Sequence, residues 1–306
     1  MWVRVLGAAA GGGFPQWNCN CPNCRGARQR SLPCRPRTQS SLAVSGDRQH
    51  WFLFNASPDI RSQIEAFPPL WPQSQARHTP IQAMVLTDAE LDHTIGLLCL
   101  RETRVLRIYA TEWVHRAVSD WNPLLRTLRA YCEIDWQRLR LREPVELRGV
   151  DGLDSGLRCQ AFATGGDKTV AFAPKPEPHS EAVVGYRITD TSTGRTLVYA
   201  PGVQELNTTV KDQLRDCASL FFDGTCWEDD ELLRLGISRK TSRAMGHVPI
   251  SGSGGSLEQL AALDVRRRVY IHINNTNPIL IDNSRERQAV EARGIEVAVD
   301  GMEMEI

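Results

Sequence analysis

The stretch "LTDAELDHTIGL" runs from Leu86 to Leu97 and follows the apolar run "IQAMV" at 81–85. The spacing predicts a strand, a short acidic loop and then an apolar helix. Loop residues just past a strand sit at the sheet edge, where ligands bind. Asp92 and His93 are adjacent, so turn geometry must aim both at one ion if they are ligands. The competing reading is that the aspartate merely caps the helix. The stretch alone leaves both readings open.

Outward from this loop, β-like runs alternate with turn signals. "WVRVLGAA", "SSLAVSG", "HWFLFNAS", "RVLRIYAT", "LRCQAFAT", "VVGYRITD", "TLVYAPGV", "SLFFDGT", "RRVYIHIN" and "IEVAVDG" carry the apolar, β-branched or aromatic bias of strands. "HTIGLLCLRET", "EWVHRAVSDWNPLLRTLRAY", "ELNTTVKDQLRDC" and "SLEQLAALD" carry helical spacing, the second interrupted near Pro123. "FAPKPEPHSEAVV" is Pro-rich and predicts a loop. Strand pairs come first and strands interleaved with helices follow, which suggests stacked sheets with helices outside. No linker, charge run or repeat divides the chain, so one domain over 1–306 is expected.

Of 306 residues, 42% are hydrophobic and 24% charged, enough for a soluble core. Basic and acidic residues number 36 each, which argues against general nucleic-acid binding. No run of 18 apolar residues predicts a membrane span. "MWVRVLGAAAGGGFP" reads as a first strand and glycine-rich loop, because Arg4 and three glycines spoil a secretion signal. Pro15 and a cysteine cluster follow those glycines where a phosphate-binding helix would start, which disfavours a dinucleotide site. Nine cysteines, six of them scattered, fit reduced thiols in a cytoplasmic protein.

"CNCPNC" places Cys19, Cys21 and Cys24 within six residues, so three thiols can converge on one structural Zn(II). The fourth ligand is open: Cys34, a histidine or a neighbouring chain. His272 ends the strand of "VYIHINNTNP", His247 lies in "MGHVPISGSGG" before a helix, and Asp223 ends "SLFFD". A charged residue at the end of a buried strand is a cap or a site residue.

Taken together, "LGAAAGGGFPQWNCNCPNC", "TDAELDHTIGLL", "FFDGTCW", "MGHVPISGSGGS" and "HINNTNPIL" resemble the metallo-β-lactamase superfamily. Within it they resemble the branch that serves synthesis of the coenzyme pyrroloquinoline quinone (PQQ). The likeness spans nearly the whole chain. It implies an αββα four-layer sandwich with metals at one edge. The superfamily loop reads His-x-His-x-Asp-His and serves two ions; here it reads Asp88-Ala89-Glu90-Leu91-Asp92-His93. The first ion's histidines have become Asp88 and Glu90, and Gly202 stands where a bridging aspartate is expected. The second ion's set, Asp92, His93 and His272, is intact, and Asp88 or Glu90 is a further candidate ligand. The ribonuclease Z branch is similar around His179 and His247, which implies that they support the metal ligands or act as acid–base groups, with a structural role as the competing reading; Asp223 is a further catalytic candidate.

Two histidines and one carboxylate with open positions match non-haem Fe(II) oxygenases, although other divalent metals remain candidates. The resemblance therefore implies O₂-dependent hydroxylation of the tyrosine of a Glu-Tyr unit from a peptide precursor. Asn274, Asn275 and Asn277 are the expected substrate-binding amides. A homodimer supported by the zinc loop around 18–25 is also implied. A carrier protein for PQQ or a precursor, and a metal-dependent hydrolase, are the competing functions.

Overall fold

The computed structural model describes residues 1–73, 76–166, 168–174 and 179–306. Part of the Pro-rich stretch expected as a loop, residues 175–178, lies outside the described residues.

Six strands open the first sheet: β1 (Trp2–Gly7), β2 (Ser41–Ser45), β3 (Trp51–Phe54), β4 (Ile81–Val85), β5 (Val105–Ala110) and β6 (Glu133–Arg138). Seven form the second: β7 (Pro144–Arg148), β8 (Asp154–Ala163), β9 (Val184–Asp190), β10 (Thr196–Ala200), β11 (Ser219–Asp223), β12 (Arg267–Ile271) and β13 (Ile295–Val297). A last strand, β14 (Glu303–Glu305), returns to pair antiparallel with β1. Among the described residues the orders are β14-β1-β2-β3-β4-β5-β6 and β13-β12-β11-β10-β9-β8-β7.

Burial explains the layering. β2 and β3 ("SLAVS", "WFLF") are buried at every position, as strands covered on both faces must be. Val44, Phe54 and Val85 of the first sheet pack with Tyr186, Tyr199 and Phe221 of the second. The outer face of the first sheet packs Leu53, Met84 and Ile108 against Ile60, Trp113 and Leu125. The second sheet packs Val198, Phe222 and Tyr270 against Val210, Leu257 and Val290. These residues come from helices Ile60–Glu65, Glu112–Arg116, Leu124–Leu128, Thr208–Leu214, Ser256–Ala261 and Arg285–Glu291. The result is the four-layer αββα sandwich that the resemblance implies.

One expected helix is broken up, and the second is interrupted near Pro123 as its sequence predicts. "HTIGLLCLRET" becomes a single turn, Leu91–Thr94, followed by a 3-10 segment, Ile95–Leu100. The long second helix passes through a π-turn, Ala117–Trp121, and stops at Asn122, whose extended backbone is what the following proline demands. No helix among the described residues is long and apolar enough to cross a membrane.

Candidate metal centre

β4 runs parallel to both β3 and β5, and β11 to both β10 and β12. The carboxyl ends of β4, β11 and β12 lead into the segments that carry Asp88 to His93, Asp223 to Thr225 and His272. Ligand sites form in such crevices outside strand ends. The glycine-rich loop after β1 joins the two sheets there. Ile273 N–H donates to Ala8 C=O at 3.0 Å, and Ala10 N–H to Ile273 C=O at 2.9 Å. A Cβ on Gly11 would come within 3.2 Å of Asp92 Oδ2, so a side chain there would press on that carboxylate.

Asp88 shapes the acidic loop. Its Oδ1 accepts the Glu90 N–H at 2.9 Å, closing an Asx turn, and its two oxygens lie 2.9 and 2.8 Å from His93 Nδ1. His93 Nδ1–H therefore donates to Asp88, which turns the lone pair of Nε2 outward. That Nε2 is buried and has no hydrogen-bond partner. Asp92 Oδ2 lies 3.8 Å from it and 3.4 Å from His272 Nε2. Nδ1 of His272 is 2.9 Å from Thr225 Oγ1, so this ring too is held from behind. His272 has φ of 58°, a left-handed backbone rare for a side-chain-bearing residue and found where surrounding structure enforces it.

Electrostatics favour a cation here. Burial works against charge on the His93 ring, but Asp88 and Asp92 outweigh it and push the pKa up to about 9. Burial likewise opposes the Asp88 charge, yet the His93 ring and Lys168 hold its carboxyl down at about 2. Asp92 is held well below the ordinary carboxylate range against the same burial penalty, by His93 and His272. An orphaned buried nitrogen beside an ionised carboxylate and a second imidazole fits a divalent metal.

A second carboxylate–histidine pair lies alongside. Asp223 Oδ2 accepts His247 Nδ1–H at 2.7 Å and Val203 N–H at 2.8 Å; its Oδ1 accepts Thr225 Oγ1–H at 2.6 Å and Thr225 N–H at 3.0 Å. The His247 ring stacks on His272 at 5.2 Å and 20°. Ligand-type atoms of Asp223, His247 and His272 also lie within 4.8 Å of one another. The carboxylate is already saturated by four donors, so this group reads as a relay that orients His247 instead of a second ion site. Burial, with help from Lys168, pushes the His247 pKa below its usual value despite Asp223.

The structure thus brings Asp92, His93 and His272 together and places the other candidates as follows. Asp88 is engaged with His93 and Thr87 and lies behind the His93 ring. Glu90 pairs with Lys168 at 3.5 Å and lies outside the convergent set. Asp223 holds His247 and does not face the opening. His179 is exposed; its Nδ1 accepts the Glu181 N–H, and its ring lies 6.5 Å from Trp113. The asparagines are engaged inside the protein. Asn277 donates to Gly224 C=O, Asn274 to Thr276 Oγ1, and Asn275 to the sulfurs of Cys19, Cys21 and Cys24. Each amide lies where the turn needs a donor, and the sequence does not show which way it faces.

Two residues escaped the sequence reading. Thr225 is the hydroxyl shared by Asp223, His247 and His272. Lys168 lies over Gly246, whose Cβ would fall 2.2 Å from the lysine chain, and lines a cavity of about 80 Å³ with Gly165, His179, Ser180 and Gln204. Lys168 belongs to no motif, and Thr225 lies within "FFDGTCW" unremarked; only folding gives them these neighbours.

Residues 50–273 match the family model described as a beta-lactamase superfamily domain. Coenzyme PQQ synthesis protein B of Azoarcus sp. (strain BH72) is 48% identical over 304 residues, covering 99% of both chains. The crystal structure of zinc-bound PqqB from Methylobacterium extorquens superposes with a TM-score of 0.91 at 41% identity, covering 100% of both chains. A diphosphatase of the PhnP family shares the fold, with a TM-score of 0.68 at 19% identity over 100% of this chain and 97% of its own.

Proposed function

The chain belongs to the coenzyme PQQ synthesis protein B family of the beta-lactamase superfamily, and from that premise we propose that it serves PQQ biosynthesis as an iron- and O₂-dependent hydroxylase. Its substrate on this reading is the tyrosine ring of a Glu-Tyr unit cut from a peptide precursor. One observation carries the reading: Asp92, His93 and His272 converge, while Asp88 and Glu90, in the places of the first ion's ligands, are bonded elsewhere. Gly202 adds no bridging carboxylate, although a Cβ there would meet only Val183 and His247 at 3.4 and 3.8 Å. Hydrolysis in this superfamily draws on two ions, and the arrangement here supports one.

Asp92, His93 and His272 would hold Fe(II), which would supply O₂ activation there. The chain does the rest. Lys168 offers a cation for a substrate carboxylate beside the cluster. Asp223 fixes the His247 tautomer with Nδ1 protonated, which leaves Nε2 free to take a proton from a phenol. Burial of His247 keeps that nitrogen unprotonated at neutral pH.

Ring hydroxylation consumes one O₂, two electrons and two protons, and releases one water with the phenolic product. The test therefore supplies an external reductant. Protein loaded anaerobically with Fe(II) is given Glu-Tyr, ascorbate and ¹⁸O₂, and the product is weighed by mass spectrometry. The expected product is a dihydroxyphenyl dipeptide carrying one ¹⁸O, absent in His272→Ala. Tight binding without turnover would overturn the reading in favour of a carrier, and O₂-independent cleavage of an ester in favour of a hydrolase.

A further inference from the structure

Lys168 stands over the candidate metal centre, and its charge bears on Asp88, Asp92, His93 and His247. The backbone fixes its root: Lys168 N–H donates to Gln204 Oε1 at 2.7 Å. Its stem crosses Gly246, whose φ of 88° and missing side chain leave room for it directly before His247. The ammonium ends 3.5 Å from Glu90 Oε1.

That contact is loose. Charge-assisted N–H···O bonds are about 2.7–2.9 Å long, and the Lys168 and Glu90 side chains stay 22% and 29% exposed. The Glu90 backbone is held independently of its carboxylate. Its N–H donates to Asp88 Oδ1 at 2.9 Å, and its C=O accepts His93 N–H at 3.0 Å and Thr94 Oγ1–H at 2.8 Å. The carboxylate can therefore change partner without disturbing the turn that carries Asp92 and His93.

Lys168 also lines the cavity of about 80 Å³ with Gly165, His179, Ser180, Gln204 and Gly246. An engineered cavity that admits benzene measures about 150 Å³, so this one suits a small polar group and not a ring. Two opposite charges this close neutralise each other, and that sets what they admit. A lone carboxylate on Lys168 must displace Glu90 and strand its charge in a half-buried place; a lone ammonium on Glu90 strands Lys168 likewise. A ligand that brings both charges satisfies both side chains. Selectivity then comes from the penalty on the wrong ligand.

We propose, on the reading that a peptide-derived substrate reacts at this centre, that the Lys168–Glu90 pair admits only a small zwitterion, its free carboxylate taken by Lys168 and its free ammonium by Glu90. Chain ends locked in peptide bonds carry neither charge. The uncut precursor is therefore refused, and a peptidase must act first.

Calorimetry on Mn(II)-loaded protein under argon, with Mn(II) content checked in each variant, tests this without turnover. The probes are Glu-Tyr, Gln-Tyr-amide, which keeps only the ammonium, and N-acetyl-Glu-Tyr, which keeps only carboxylates. The wild type should bind Glu-Tyr at least about tenfold more tightly than either. Lys168→Met should lose affinity for Glu-Tyr and gain it for Gln-Tyr-amide, because Glu90 then stands unpaired. Glu90→Gln should lose affinity for Glu-Tyr and gain it for N-acetyl-Glu-Tyr. Equal binding of the three probes by the wild type, no binding of Glu-Tyr, or a uniform loss in both variants would overturn the proposal. Hydroxylation of Glu-Tyr without this crossed pattern would remove the charge gate and leave the hydroxylase; the crossed pattern without ¹⁸O incorporation would keep the gate and remove the hydroxylase.

Discussion

The two nitrogens of His93 face opposite partners, and that division sets how the residue behaves. Nδ1 is held by Asp88 and Nε2 is left toward Asp92 and His272. With the pKa raised to about 9, the ion-free ring is protonated at neutral pH. Its contribution to stability is full below its ordinary value of about 6.5 and is lost as pH rises through about 9. Metal binding has the opposite sign, because the ion must displace that proton. Mn(II), which thiols do not favour, should bind about tenfold more tightly per pH unit between 6.5 and 8.5; a flat profile by calorimetry would refute the proton's placement. Asp88→Asn keeps an acceptor for Nδ1 but removes the charge. It should weaken Mn(II) by about 10- to 100-fold with folding intact, whereas Glu90→Ala, which disturbs only the Lys168 pair, should change affinity little. Equal losses in the two variants would return both residues to the set of metal ligands.

At the scale of elements, the strand ends do the positioning. β11 ends on Asp223, and two residues later Thr225 Oγ1 meets Asp223 at 2.6 Å, His272 Nδ1 at 2.9 Å and His247 Nδ1 at 3.1 Å. One hydroxyl has one proton, and the short contact gives it to Asp223, leaving lone pairs for His272. Thr225→Val keeps the shape and removes the hydroxyl. Mn(II) affinity should drop by about 10- to 100-fold as His272 loses its orientation; unchanged affinity, with NMR showing the His272 Nδ1–H still protected, would discount this hub. The sequence exposes β11 and β12 readily, since their aromatic and β-branched runs announce buried strands. It hides β6 ("EIDWQR") and β14 ("EME"), which lie at or near sheet edges and carry charges outward. It hides helix Pro22–Gln29 as well, whose polar residues buried only at Cys24 and Gly26 show no apolar stripe. Asp92, His93 and His272 were legible because their types and motif survive. The direction of the asparagine amides was not, because one asparagine-rich turn can face outward or inward with the same letters.

At the scale of the whole molecule, the candidate ligands come from different sheets. Asp92 and His93 follow β4 of the first sheet; His272 follows β12 of the second. The inner faces of those sheets share one core, and at the site edge the two halves are joined by backbone hydrogen bonds, Ala8 and Ala10 with Ile273 and Val184 N–H to Thr87 C=O at 2.9 Å. Asp92 and His272 already approach across this seam. An ion held by both halves binds only the folded arrangement, so it stabilises by linkage: about 2.7 kcal/mol at a free concentration 100 times Kd. For a chain of 306 residues that is on the order of 5 °C in Tm. Protein already holding Zn(II) at the cysteine site should therefore melt several degrees higher in saturating Mn(II). Because the increment requires both sheets, His272→Ala and Asp92→Ala should each lose it, although their contacts lie on opposite sides of the seam. Scanning calorimetry with and without Mn(II) decides the matter. If His272→Ala keeps the full increment while Asp92→Ala loses it, the ion belongs to the first sheet alone and the two-sided site is wrong.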